Sequence, residues 1–427
     1  MKGEKGSLRS HAHLMKSLLS LPLAALLFCA VAAPVDAVEP LAQDYTVVFH
    51  NPDPEYYVEG CGMVKLDDGS LLAAVPVVPR LAWTVERRVA HSVVHLLRSG
   101  DGGKTWQAQS DLPYYSGVPF IHNGKLYLFG ITPGVKKSRN DDLLLLRSDD
   151  SGKTWSAPVT LFQGHFWNCH TSMVVQDHRL YWAVDDLTNY TKRGPTLISG
   201  DLNADLMNPA SWRRSATVPL PDVPDALSNP LFAEYPNQYL EPNVTSVNGR
   251  IRLLAVLKTK HQATANICAM LDVTDTPEKL DLKFTQYNPM PGGHLKFFTR
   301  WDEASKMYWA TSNLAVDSQG TFDWFEAASK KEVFRTDGRL GGNDRRFLML
   351  HYSVDGLNWM PAGCVAQAAK LSQSFMYATP VVDGDDLAII ARSSVNAPNQ
   401  HDADYATFHR VKNFRKLALN LVPEPEK

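Results

Sequence analysis

Short apolar runs separated by Gly, Asn and Asp turns recur along the chain from about Thr46 to its end. The turn and the strand after it read DDGSLLAAV from Asp67, HNGKLYLFG from His122, QDHRLYWAV from Gln176, VNGRIRLLAV from Val247, EASKMYWAT from Glu303 and VDGDDLAIIA from Val382. An apolar stretch also precedes each turn, so each copy reads as a β-hairpin. The hairpins are spaced by roughly 55 to 80 residues, which leaves room in every unit for two further strands. That spacing is too long for ankyrin or leucine-rich repeats, and no sustained helical period competes with it. The pattern predicts an all-β chain: one six-bladed β-propeller of four-stranded antiparallel blades, over residues 46–427.

A second repeat lies between the hairpins. RSGDGGKTW (Arg98 to Trp106) and RSDDSGKTW (Arg147 to Trp155) each follow an apolar strand, a worn copy is YSVDGLNW (Tyr352 to Trp359), and a weaker one runs from Ser199 to Trp212. Ser, Asp and Gly favour a turn in which side chains bond backbone amides. The copies are therefore expected between the third and fourth strands of their blades, with Trp106 and Trp155 packed beneath. The SxDxGxTW pattern resembles the Asp box, or BNR repeat, of the sialidase (neuraminidase) superfamily. GGHLKFF, LEPNV and NQHDAD are similar to a divergent bacterial subgroup of it.

Strands in a blade alternate in direction, so the Asp-box turns share one face with the DG and NG turns. Chemistry is expected on the other face. There the approaches to the first strands read YYVEGCG, GHFWNCHTS, NQYLEPNV, PGGHLKFF and QSFMYATP, and the connections from second to third strands carry Arg80, Arg87, Arg88, Asp142, Lys258, Arg339 and Arg392. Glu241 and Tyr377 occupy matching places in their blades, at the start of the innermost strand. By the resemblance, Tyr377 is the nucleophile and Glu241 the base that takes its phenolic proton, because a charged nucleophile would be repelled by a substrate carboxylate.

The resemblance also implies three arginines against that carboxylate, since guanidinium matches its geometry. This chain departs from the pattern, with VEGCGMV in its first blade and Lys258 after the glutamate's hairpin. The candidate substrate-binding residues are Arg80, His165, His170, Lys258, His294, Lys296, Arg300, Arg345, Arg346 and Arg392. Asp344, among glycines and arginines in GGNDRRFLML, is the favoured general acid over Asp142. Gln367, with Gln373, flanks the last inner strand and is a candidate to position a water, which leaves retaining and inverting routes both open.

Bulk properties narrow the classes. The chain has 427 residues, is 44% hydrophobic and 21% charged, and carries a net charge of −2. No basic excess points to nucleic acid. No metal-spaced cluster or nucleotide loop appears, so neither metal nor cofactor is expected. Lys2, Lys5, Arg9 and Lys16 precede the apolar run SLPLAALLFCAVAA, the order of a secretory signal. Residues 1–37 are read as that signal and 38–45 as a linker, giving a secreted or periplasmic protein without a membrane span in its mature chain. Cys61, Cys169, Cys268 and Cys364 then permit three full pairings or stand as buried free thiols.

The expected function is exo-glycosidic release of a terminal acidic sugar, sialic acid, from a sialylated glycan or glycoprotein. The alternatives are arabinan hydrolysis or uronate lysis on a related propeller, and a carbohydrate-binding propeller without catalysis.

Overall fold

The computed structural model describes residues 39–80, 91–133, 141–188, 193–221, 223–224, 238–258, 266–314, 344–370 and 372–419. Residues 1–37, Arg87, Arg88 and Arg339 lie outside the described residues, as does the side chain of Lys258.

Six antiparallel sheets form a six-bladed β-propeller, and each predicted hairpin is the inner pair of one blade. β1 (Thr46–His50) belongs to the last blade. Blade 1 has β2 (Tyr56–Val58) and β3 (Gly62–Lys65) as a broken inner strand, then β4 (Leu71–Pro79), β5 (Val93–Ser99) and β6 (Gln107–Leu112). Blade 2 has β7 (Ser116–His122), β8 (Lys125–Ile131), β9 (Leu143–Ser148) and β10 (Val159–Phe162). The inner strand of blade 3 is again broken, into β11 (Phe166–Trp167) and β12 (Val174–Gln176), and is followed by β13 (Arg179–Asp186), β14 (Gly194–Asp201) and β15 (Trp212–Arg214). Blade 4 has β16 (Gln238–Val247), β17 (Arg250–Lys258), β18 (Ile267–Asp275) and β19 (Leu280–Pro289). Blade 5 has β20 (Phe298–Asp302), β21 (Met307–Leu314), β22 (Phe347–Ser353) and β23 (Met360–Gln367). Blade 6 has β24 (Ser374–Asp383), β25 (Asp386–Ser394) and β26 (Tyr405–Val411), and β1 completes it by pairing antiparallel with β26.

The core lies between blades. Separate apolar clusters fill the junctions of blades 1 and 2, 2 and 3, 3 and 4, 4 and 5, 5 and 6, and 6 and 1. Middle strands are therefore buried on both faces and read as continuous apolar runs: every residue of LLAAVPVVP in β4 is buried. The outermost β6, QAQSDL, is largely polar because one side meets water.

The polar turns behave as clasps. Asp101 accepts from the N–H groups of Lys104 and Thr105 (3.0 and 2.9 Å) and from the Thr105 hydroxyl (2.6 Å), while Ser99 Oγ accepts from Gly103 N–H (2.8 Å). Asp150 and Ser148 repeat the pattern in the next blade, and Asp355 and Ser353 repeat it in blade 5. Arg98 bonds both Asp68 and Ser70, so the clasp and the inner hairpin turn share one end of the blade.

Candidate active site

At the opposite end, two inner strands carry the same irregularity. The register slips between Leu240 and Asn243 in β16, and between Met376 and Thr379 in β24. Glu241 and Tyr377 sit in these bulges with φ of +47° and +52°. A left-handed conformation costs an L-residue roughly 1–2 kcal/mol, so neither would adopt it without the ladder on both sides imposing it. The two bulges aim the side chains at each other. The Tyr377 hydroxyl donates to Glu241 Oε1, and both residues are buried.

The pair is held from several blades. Asp185, at the end of β13, accepts from the Glu241 backbone N–H (3.2 Å) and lies 3.6 Å from Arg193. Lys296 donates to Ala378 O (2.5 Å) and Thr379 Oγ1 (3.3 Å), propping the Tyr377 bulge. Arg392 donates to Glu59 Oε1 (2.8 Å) and lies 5.0 Å from the ring centres of both Tyr57 and Tyr377. Close approach to the first blade depends on Gly60, where a Cβ would stand 2.5 Å from Cys169 Cβ and 3.2 Å from Tyr377 Cδ1.

Burial sets the protonation pattern. It raises the Tyr377 phenol well above its ordinary value, and the Glu241 charge adds to this while Arg345 and Arg392 oppose it. At rest the phenol therefore keeps its proton, with the Glu241 carboxylate as its hydrogen-bond acceptor. Burial raises Asp185 to about 7, against the pull of Arg193 and the Glu241 N–H. It lowers Lys296 to about 8, offset in part by Cys169 and Glu241. Cys61 is pushed up to about 12, and Cys169 well above its usual value, in both cases chiefly by burial. All four cysteines among the described residues are free thiols.

Of the residues expected from sequence, Tyr377, Glu241, Arg345, Arg392 and Lys296 are brought to this cluster, Arg345 through its effect on the phenol. Arg80 joins it indirectly, pairing with Asp402 (3.3 Å), which bonds His401 beside Arg392. Asp344 lies at the same end, its two oxygens taken by Arg346 Nε (2.8 Å) and Nη2 (2.5 Å). His165 pairs there with Asp141 (2.8 Å).

His294 is buried in the turn leading to β20, two residues before Lys296. Three expectations land elsewhere. His170, whose Nδ1 accepts from Met63 N–H (3.2 Å), and Arg300 face a cavity at the clasp end. Gln367 is exposed at the end of the outermost strand of its blade, its backbone bonded to Gln43 on both sides. An outer-strand position is a full blade width from the axis, too far to place a water at Tyr377. Sequence reading missed Glu59 and Asp185. Glu59 had a signal, since it breaks its inner strand where Glu241 and Tyr377 bulge theirs.

This architecture recurs in solved glycosidases. An α-L-arabinanase of Penicillium chrysogenum superposes with a TM-score of 0.53 at 14% identity, covering 88% of this chain and 99% of that one. An α-L-arabinofuranosidase of Fusarium graminearum gives 0.51 at 12% identity, covering 87% and 98%. A Trypanosoma rangeli sialidase gives 0.53 at 14% identity over 88% of this chain, which spans only 58% of the sialidase's length. What they share with this chain is the six-bladed fold. No family profile matches the sequence, and no curated protein does. Among the described residues, no group of three or more His, Cys, Asp or Glu could hold a metal ion, and no helix is long and apolar enough to cross a membrane.

Proposed function

We propose that the protein is an exo-glycosidase that releases a terminal acidic sugar, sialic acid, from glycans, with Tyr377 as nucleophile and Glu241 as its base. The hydrogen bond from the Tyr377 phenol to the Glu241 carboxylate, made by two residues held in left-handed bulges, carries this reading. Glu241 takes the phenolic proton as Tyr377 Oη bonds the anomeric carbon. The glycosidic C–O bond breaks, and its oxygen leaves with a proton from a carboxylic acid. Water then attacks the anomeric carbon, giving a proton to that carboxylate, as the C–O bond to Tyr377 breaks and the phenolate recovers its proton from Glu241.

An anionic substrate is supported by the charge around the phenol. Arg345, Arg392 and Lys296 outnumber Glu241 and Glu59, which leaves the buried cluster net positive for an incoming carboxylate. Asp344 is the proposed acid. Arg346 holds it at rest, so the role requires that guanidinium to turn to the substrate carboxylate, to which it is equally matched.

Arabinan-type hydrolysis is the second reading, favoured by the near-complete coverage of the arabinan-acting neighbours. Assay of the mature chain on sialyllactose and on arabino-oligosaccharides separates the two. Free sialic acid is expected, reduced roughly 10³-fold in Tyr377→Phe and in Glu241→Gln. Asp344→Asn is expected to slow sialyllactose while sparing an aryl sialoside, whose leaving group needs no proton. Arabinose as the product would replace sialic acid in this account, and no product from either panel would overturn the proposal.

A further inference from the structure

The clasp end of the central channel opens into a cavity of about 880 Å³, within the range of small-molecule sites. Its lining reaches Asn248 and Gly249 in the turn that ends β16, at the opposite end of that strand from Glu241, so it is distinct from the cluster around Tyr377. Met63, Val174, Val244, Phe298, Val381 and Val382 give the walls an apolar share, beside the polar His170, Thr245, Ser246, Asn248 and Thr299. The lip is apolar too: Trp301 is 42% exposed and Val175 64%.

Charge in this cavity has one sign. Lys65 and Arg300 line it, and no Asp or Glu does. Lys65 is already paired with Asp383 (2.6 Å). Arg300 spends Nε on Pro380 O (3.0 Å), and its Nη groups have no hydrogen-bond partner among the described residues. Its neighbour through the Phe298 ring is another cation, with Lys296 Nζ 5.1 Å and Arg300 Cζ 5.5 Å from the ring centre. Asp302, the nearest acid on the same strand, is engaged by Arg415 through both oxygens (2.7 and 2.9 Å). Burial lowers Arg300 to about 10 against the partial pull of Asp302, and a bound anion would offset the remaining desolvation.

We propose that this cavity is a second binding site, for an amphipathic monocarboxylate whose head pairs with the Arg300 Nη groups and whose hydrocarbon body fills the apolar channel mouth. Guanidinium and carboxylate match in geometry, and the apolar side chains beside Arg300 give a hydrocarbon body its surface. The site stands independently of the glycosidase reading.

Calorimetric titration of the mature chain with octanoate tests it, with 1-octanol and acetate as probes lacking the charge and the tail. Octanoate is expected to bind one per chain. Binding should weaken roughly tenfold or more in Arg300→Gln, as loss of a charge-assisted pair implies. It should weaken less in Trp301→Ala, which trims the lip and keeps the charge, and should be unchanged in Tyr377→Phe. Octanol is expected to bind more weakly and equally to both Arg300 forms. Absence of octanoate binding, equal octanoate affinity in Arg300→Gln, octanol binding as tightly as octanoate, or displacement of octanoate by sialic acid would each overturn the proposal. If Arg300→Gln loses the near-ultraviolet dichroism of the folded chain, the octanoate–octanol comparison and Trp301→Ala decide it.

Discussion

Glu241 and Tyr377 are each asked to do two incompatible things, to sit in an inner strand and to adopt a left-handed backbone. Only glycine would do this without strain, so retaining a glutamate and a tyrosine there ties the backbone anomaly to the side chains. Glycine at position 241 relieves that strain, and alanine does not. Glu241→Gly is therefore expected to be at least as stable as Glu241→Ala, by up to about 1 kcal/mol in denaturant unfolding, with both inactive. A clearly less stable glycine variant would contradict the strain argument. These two residues were legible in the sequence because each precedes a recognisable hairpin turn by a similar interval. Arg300 and Gln367 were not placed correctly, because alternation gives a residue's face only in regular strand, and the approaches to the inner strands are broken or bulged. Asp185 was hidden for a different reason. It lies near the end of a second strand and bonds a Glu241 backbone N–H contributed by the neighbouring blade.

At the scale of elements, the hairpins and clasps were readable because their signals are local: a turn chemistry and the strand beside it. The pairing of β1 with β26 was not, since its partners lie at opposite ends of the chain and no local pattern joins them. The clasps also separate stability from activity. Asp101 gathers bonds from Ser99, Lys104 and Thr105, which hold it well below the usual carboxylate range. Asp101→Ala is expected to lower Tm while leaving kcat and KM unchanged, measured by calorimetry and by the glycosidase assay on one preparation. A selective loss of kcat with unchanged Tm would place chemistry on the wrong face of the propeller.

Across the whole molecule, buried histidines set the response to acid. Burial holds His351 and His409 at about 4 and His401 at about 3, and keeps His170 well below its ordinary value. The unfolded chain protonates these rings near pH 6.5, whereas the folded chain resists until lower pH. Stability is therefore lost as pH falls from about 6.5 towards 4. Asp185, raised to about 7, works in the opposite direction over that window, because the folded form holds its proton more tightly than the unfolded one. The several histidines outweigh it, so Tm is expected to fall on acidification from pH 6.5 to 4. A flat or rising Tm would show that these rings are not buried as neutral groups. The chemistry proposed turns on one atom, the phenolic oxygen of Tyr377. Incubation of the protein with 2,3-difluorosialic acid, followed by peptide mapping by mass spectrometry, asks directly whether that oxygen bonds the sugar. A glycosyl adduct is expected on the Tyr377 peptide, absent in Tyr377→Phe and slow to form in Glu241→Gln. An adduct on another residue, or no adduct from a preparation that cleaves sialyllactose, would contradict it.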